Sequence, residues 1–241
     1  MTQAAERRHP IPGYAWVVFA LTFGLLISDY MARQVLNAVF PLLKAEWALS
    51  DGQLGLLSGV VAIMVGLLTF PLSLLADRWG RVKSLTAMAV LWSLATLLCA
   101  VAENYEQMLA GRVLVGVGEA AYGSVGIAVV VSVFPKRLRA TLSAAFMAGG
   151  LLGQVLGVGI GGAVAAAHGW RMAFLVIAMS GLALAILYPL LVGEHRIASL
   201  SDEAGNEPYK RQQEFPKVAS LFAGRTIKCA YLGSGLQLFV A

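Results

Sequence analysis

Charge is scarce in this sequence: Asp, Glu, Lys and Arg make up 13% of 241 residues, about half the ~25% usual in a soluble domain. That excludes a chain built to face water on all sides. Cysteine is nearly absent too. Cys99 and Cys229 lie in or beside apolar runs with no second ligand at metal spacing, so they read as buried small hydrophobes and imply no metal centre. The three histidines, His9, His168 and His195, sit at the edges of apolar runs or in loops. No nucleophile–base or metal-ligand spacing joins them, which argues against a membrane enzyme. No basic run is interleaved with aromatics, so nucleic acid is not an expected partner, and no cofactor is implied.

What fills the space is apolar: 59% of residues are hydrophobic and the mean hydropathy is +0.75. A run of about 20 apolar residues crosses the hydrocarbon core as a helix. Six complete spans are predicted, roughly Tyr14–Phe40, Leu54–Leu75, Leu85–Ala102, Met108–Val133, Leu142–Ala167 and Met172–Val192. Barrel strands alternate apolar and polar residues; these runs do not. Pro41, Pro71, Pro135 and Pro189 fall near span ends, where a lost helix hydrogen bond does least harm. The expected fold is therefore all-α, a polytopic bundle in the cell membrane with the lipid bilayer as its solvent. Placing the N-terminus in the cytoplasm puts Arg7, Arg8, Arg78, Arg81, Lys83, Lys136, Arg137 and Arg139 inside, and only Lys44 and Arg171 opposite. That asymmetry follows the positive-inside rule. It explains the net charge of +5 by topology.

The remaining segments complete the expected organisation. Residues 1–13 form a cytoplasmic tail and 14–192 the six-helix unit. Residues 193–227 form a polar, Gly- and Pro-punctuated cytoplasmic linker, with a short amphipathic stretch at "KVASLFAGRTIK". Residues 228–241 open a seventh apolar helix too short to span. Six helices, a linker and the start of a seventh predict one half of a larger machine, with a C-terminal six-helix half as the missing partner.

Four ionisable residues fall inside the spans: Asp29 and Arg33 in the first, Arg112 and Glu119 in the fourth. A central charge costs about 2.5–3.5 kcal/mol on insertion scales, so such residues usually face a bundle interior or a wet cavity. Asp29, Arg33 and Asn37 follow an i, i+4, i+8 spacing and share one helix face. Arg112 and Glu119 share a face at i, i+7, with Tyr122 beside them. Asp29 and Arg33 could serve only to neutralise each other, and Arg112 could snorkel to the interface. Glu119 has no charge within one turn on its own helix, so it needs a partner from another helix or a proton. Burial favours a neutral carboxyl and a nearby guanidinium a charged one. A carboxyl held between those influences can take up and release a proton, which makes Glu119, with Asp29, the proton-coupling candidate.

Glycine is the other abundant feature. "GVGEAAYG" around Gly116 and Gly118 lacks the third glycine and the βαβ context of a dinucleotide loop, and small residues permitting close helix contact explain it better. In "AGGLLGQVLGVGIGG", Gly149, Gly153, Gly157 and Gly161 recur every fourth residue as one helix ridge. Such a ridge serves close packing, a moving helix, or both. Gln154 within it suits a helix-to-helix hydrogen bond or a substrate contact.

"SLLADRWGRVKSL", Ser73 to Leu85, resembles the signature loop of the major facilitator superfamily, G-x-L-A-D-R-x-G-R-[KR]-x-x-L, between helices two and three. Leu75, Ala76, Asp77, Arg78, Gly80, Arg81 and Leu85 match; Ser73 replaces the first Gly, and Val82 the second basic residue. Arg112 with Gly116 and Gly118 is similar to the family's fourth-helix motif. Gly153, Gly157, Gly161 and Gly162 are similar to its fifth-helix motif, with Val158 in place of the proline, and "GWRMAF" (Gly169–Phe174) to its entry into helix six. Within the superfamily, the first helix and "GVGEAAYG" most resemble Spinster-like and organic-anion-type members. In Spinster-like proteins a first-helix Asp–Arg pair and the fourth-helix Glu are implicated in proton coupling. Arg33 and Glu119 carry over; Ala32 occupies the Asp position, and Asp29 stands one turn earlier.

The resemblance implies a six-helix half made of two inverted three-helix repeats, with substrate at the midplane between halves. It assigns gating to Asp77, Arg78, Gly80 and Arg81 and carries over Arg33 and Glu119; the helix-face reading adds Asp29 to Glu119 for proton coupling, and Asn37, Arg112, Tyr122 and Gln154 to Arg33 for substrate contact. The expected function is secondary transport of a small organic, possibly anionic, solute coupled to protons by alternating access. The alternative is a truncated, non-transporting membrane assembly or interaction module.

Overall fold

The computed structural model describes residues 12–203. Most of the expected N-terminal tail, the linker beyond Glu203, the amphipathic stretch, Cys229 and the seventh-helix start at 228–241 lie outside the described residues. The rest is helical. In chain order the helices are α1 (Gly13–Trp47), α2 (Asp51–Trp79), α3 (Arg81–Ala100), α4 (Tyr105–Glu119), α5 (Tyr122–Val133), α6 (Lys136–His168), α7 (Trp170–Leu191) and α8 (Glu194–Glu203). With α4 and α5 taken as one broken span, six helical segments are long and apolar enough to cross a membrane. They coincide with the six expected spans; half of the ends run three or more residues further, where the helix continues beyond its apolar run, while α3 and α7 stop one or two residues short.

Local chemistry sets the helix starts. The Ser50 hydroxyl accepts from the Gln53 N–H at 3.3 Å, and the Gln53 side chain accepts from the Ser50 N–H at 2.9 Å. This capping box gives partners to two otherwise orphaned N–H groups at the start of α2. Asn104 caps α4 by accepting from the Gln107 N–H at 2.9 Å. Pro135 precedes α6, where its missing N–H costs nothing. Pro41 and Pro71, expected near span ends, instead lie inside α1 and α2; neighbouring helices stabilise a helix that runs on through proline.

The packing has an internal symmetry. Helix α1 packs on α6 and α7, α4 packs on α2 and α3, and α3 packs on α7. Exchanging α1 with α4, α2 with α6 and α3 with α7 returns the same set of pairs, as a 3+3 repeat requires. The two ends of the bundle are tied separately. At one end the Tyr14 hydroxyl donates to Leu191 O at 2.8 Å and the Trp16 ring meets Phe134 at 5.2 Å. At the other, Glu46 accepts from Trp170 Nε1 at 2.6 Å and from Arg171 at 2.9 Å, while Arg171 also donates to Ala102 O at 3.2 Å.

The chain directly after Gly193, expected as solvated linker, is instead a helix, Glu194–Glu203, that packs on α5. Ile197 and Leu200 are buried at i, i+3 with the polar Ser201 beside them at i+4, a short buried stripe hidden in a polar composition. Its first residue reaches back to the α2–α3 turn. Glu194 Oε1 accepts from the Val82 N–H at 3.2 Å, placing an anion at the N-terminus of α3, where the helix dipole favours it.

Gly80 makes that turn possible. Its φ is +100°, and a Cβ there would lie 2.1 Å from Glu194 Oε1. Gly80→Ala is expected to cost about 1–3 kcal/mol of stability from backbone strain alone, with a further cost from the clash. Thermal unfolding in detergent should show the penalty shrinking, but persisting, in a Glu194→Ala background. An equal penalty in both backgrounds would show that Glu194 does not press on the turn.

Candidate functional site

The four intramembrane charges converge on the interface of α1 and α4. Arg33 Nε lies 2.8 Å from Glu119 Oε2, and Arg33 Nη2 lies 3.5 Å from Asp29 Oδ2. The Arg33 side chain is 19% exposed, Asp29 3% and Glu119 0%. Neither Glu119 oxygen nor Asp29 Oδ1 takes a hydrogen bond. The guanidinium therefore approaches Glu119 as a charge, off the line of an aligned N–H···O bond. One partly open cation thus serves two buried acids, and its guanidinium carbon stands 5.2 Å from the centre of the Tyr30 ring. The partner that Glu119 needs does come from another helix.

Arg112 is turned into the bundle rather than toward a helix end. It is 1% exposed and spends its three nitrogens on backbone carbonyls: Nε on Leu57 at 3.3 Å, Nη1 on Ala32 at 3.0 Å and Nη2 on Arg33 at 3.3 Å. Snorkelling is ruled out because the side chain points into the bundle, where carbonyls of α1 and α2 replace its water. In this conformation Arg112 braces the backbone that carries Arg33, rather than presenting an open anion site. Tyr122 is likewise internal: its hydroxyl donates to Thr22 O at 2.6 Å and its ring meets Trp92 edge-on at 5.0 Å.

The expected single fourth span breaks immediately after Glu119. Helix α4 ends there, Ala120 and Ala121 form a turn, and α5 begins at Tyr122. The carbonyl of Ala120 accepts from the Thr69 hydroxyl at 2.6 Å, so the interrupted backbone finds a partner on α2. Nothing in an Ala–Ala pair marks a break, since alanine is the strongest helix former.

Asn37 lies one turn beyond Arg33 and is exposed. Its side-chain nitrogen donates to Gln34 Oε1 at 2.6 Å, and its oxygen accepts from the Ser58 hydroxyl at 3.0 Å. Gln154 is half-buried on α6 beside Gly153. Tyr30, Gln34 and Ser58 were not singled out from the sequence, though Tyr30 stands at i−3 from Arg33, a spacing that signals contact.

The glycine ridge is a contact surface. Gly149, Gly153, Gly157 and Gly161 of α6 face Phe23, Ile27, Met31 and Val35 of α1 in the same four-residue steps. A Cβ at Gly153 would lie 2.7 Å from Ile27 O, and one at Gly157 2.8 Å from Met31 Cα. Gly116 and Gly118 do the same for α4 against Val61 of α2 and Trp92 of α3. In the signature loop, Arg81 Nε lies 3.6 Å from Asp77 Oδ1, and Arg81 Nη1 donates to Ala128 O of α5 at 3.3 Å. Arg78 is exposed. Among the described residues no group of three or more His, Cys, Asp or Glu is placed to hold a metal ion.

Comparison with known proteins agrees with this architecture. The chain is 28% identical over 178 residues to the hexuronate transporter of Bacillus subtilis, covering 74% of this chain and 42% of that protein. It is 29% identical over 184 residues to the gallate transporter of Pseudomonas putida, covering 76% and 40%. It is 27% identical over 225 residues to a probable L-galactonate transporter of Escherichia coli, covering 90% and 50%. The chain thus spans half the length, or less, of these curated relatives. Among solved structures, a bacterial homolog of the human lysosomal transporter Spinster, inward-facing and unoccupied, superimposes with a TM-score of 0.71 at 23% identity, over 76% of this chain and 44% of that one. The inward-open xylose transporter of Escherichia coli gives 0.64 at 16%, over 83% and 55%. Both likenesses show the fold. The family profile of the Major Facilitator Superfamily matches residues 22–240. With six apolar spans and this match across most of its length, the chain is a multi-pass integral membrane protein and belongs to the Major Facilitator Superfamily.

Proposed function

We propose that this chain supplies the proton-coupling half of a secondary active transporter for small organic acids, working by alternating access. The observation that carries the reading is Arg33, partly open and shared by the buried carboxyls of Asp29 and Glu119. With all groups ionised, Asp29, Glu119, Arg33 and Arg112 sum to zero charge. An arriving carboxylate that pairs with Arg33 leaves one negative charge in excess within a low-dielectric interior, an expensive state. A proton on Glu119 restores neutrality and releases Arg33 to the substrate. Binding of the anion and binding of the proton therefore favour each other, which is the thermodynamic content of coupling.

Two further observations support the reading. Relatives carry hexuronate, gallate and L-galactonate in their names, and all three are organic acids. The bundle end with Tyr14 and the Gly80 turn also holds Arg78, Arg81, Lys83, Lys136, Arg137, Arg139 and Arg196, against Lys44 and Arg171 at the other. That asymmetry supports a cytoplasmic position for the former end. A second six-helix half would close the cavity in front of Arg33, with the Asp77–Arg81 loop meeting it at the cytoplasmic gate. Asp29 shares the proton with Glu119, and Gln154 contributes to the cavity wall.

Glu119→Gln tests the proposal directly. In liposomes holding the protein expressed from its native gene, pH-gradient-driven uptake of labelled glucuronate should fall to background. Counterflow exchange of glucuronate should survive, because exchange needs no net proton movement. Loss of both activities to the same extent would make Glu119 a structural residue.

A further inference from the structure

Resting on the reading of Arg33 as the carboxylate anchor, we propose that Gln34, Asn37 and Ser58 form a hydroxyl-reading subsite. It makes the transporter prefer polyhydroxylated acids of the sugar-acid class to hydroxyl-poor aromatic acids.

The first support is depth. Asn37 lies three residues inside the apolar run that ends at Phe40, and Ser58 four residues inside the one that starts at Leu54. At 1.5 Å per residue these are roughly 5 Å and roughly 6 Å into the apolar segments. Asn37 is nonetheless exposed, and Gln34 and Ser58 are half-exposed. An amide facing hydrocarbon at that depth is costly, so a carboxamide left open there faces a water-filled cavity. It is the same face of α1 that carries Arg33.

The second support is the polarity of the hydrogen bonds. The Ser58 hydroxyl donates to Asn37 Oδ1 at 3.0 Å, and Asn37 Nδ2 donates to Gln34 Oε1 at 2.6 Å. Both amide oxygens therefore already accept a hydrogen bond. Still open as donors are the second N–H of Asn37 and the whole amino group of Gln34, which has no partner among the described residues. Each amide oxygen keeps one lone pair, so the open valences of the row are weighted toward its three free N–H donors. The row thus presents donors to an acceptor-rich ligand, and the Ser58 oxygen can accept in return from a ligand hydroxyl.

The third support is spacing. Asn37 lies one turn on from Arg33 on the same face, about 5–6 Å away, and Gln34 reaches Asn37 from the α6 side, where its Cβ lies close to Gly157. A carboxylate on Arg33 sets the next few carbons of a sugar acid, each bearing oxygen, against that row. Benzoate sets bare ring edges there, leaving the donors without partners. A site built to hydrogen-bond hydroxyls discriminates against an analogue lacking them through just such unpaired groups.

Equilibrium binding to the purified protein, expressed from its native gene and measured by titration calorimetry against glucuronate, galactonate and benzoate, decides the matter. Wild type should bind at least one sugar acid more tightly than benzoate. Asn37→Leu should weaken that sugar acid about tenfold while leaving the benzoate Kd and the melting temperature in place. Ser58→Ala, which frees the Asn37 oxygen to compete as an acceptor, should give a smaller loss of the same kind. Arg33→Lys should weaken all three acids together. Benzoate bound more tightly than both sugar acids overturns the subsite and leaves the organic-acid reading standing. An equal loss of all ligands in Asn37→Leu also overturns the subsite, by making Asn37 structural. Binding of none of the three acids overturns the anion reading, and the subsite with it.

Discussion

Arg33→Leu is expected to lower stability by about 3–5 kcal/mol, the usual cost of stranding a buried charge by removing its partner, and to abolish transport. The loss has two sources, because two carboxyls depend on one guanidinium: Glu119 at 2.8 Å and Asp29 at 3.5 Å. Arg112 cannot move in to replace it, since all three of its nitrogens hold carbonyls of α1 and α2. Adding Glu119→Gln to Arg33→Leu should recover about 1–3 kcal/mol, a coupling typical of residues in one network. Thermal unfolding in detergent reads the cycle. Additive losses would show that Arg33 and Glu119 do not interact.

The cycle also separates stability from function. A buried ion network replaced whole by neutral groups is often as stable as the original. Asp29→Asn, Arg33→Leu and Glu119→Gln together should therefore unfold near the wild-type temperature yet move no acid against a gradient. Unfolding of the triple variant near the wild-type temperature would show that the charge cluster brings no gain in stability, as the proposed coupling role requires.

How much of this was legible in the sequence differs by element. The six spans were, because a hydrocarbon solvent imposes a long apolar run on each, and the run survives any error at its ends. The pairing of Arg33 with Glu119 was legible in part: a mid-span carboxyl without a charge on its own helix must find one elsewhere. Which cation it finds depends on α1 lying against α4, a tertiary fact. Arg112 shows the limit. Its position near a helix end suggested snorkelling, but whether a guanidinium turns to water or to carbonyls is set by the neighbouring backbones of Ala32 and Leu57. The break at Ala120–Ala121 and the α8 helix were hidden for opposite reasons. Alanine gives no local signal of a turn, and a polar composition masked the stripe of Ile197, Leu200 and Ser201.

Gly153→Leu is expected to destabilise by about 3 kcal/mol or more, at or beyond the upper end of ordinary overpacking. The added Cβ would meet Ile27 O at 2.7 Å and Tyr30 Cβ at 2.8 Å. A main-chain carbonyl cannot swing aside as a side chain can, so α1 and α6 must separate along the whole ridge. The same glycine four-step predicts graded effects. Gly161→Ala meets Val35, its Cγ2 at 3.0 Å and its Cα at an ordinary 3.5 Å, and should cost less; Gly159 has nothing within 4 Å of an added Cβ. Gly159→Ala should be neutral or gain up to about 1 kcal/mol of helix propensity. Melting temperatures of the three variants test the packing role, and equal effects at Gly153 and Gly159 would refute it. Transport tests whether the ridge also slides. Tyr30 and Met31, which face Gly153 and Gly157, flank the turn of α1 that carries Arg33, so any shift of α6 along α1 reaches the charge cluster. Gly161→Ala, which thickens the ridge without breaking it, should then slow uptake more than its small loss of stability explains, whereas a ridge that only packs would lose both in proportion.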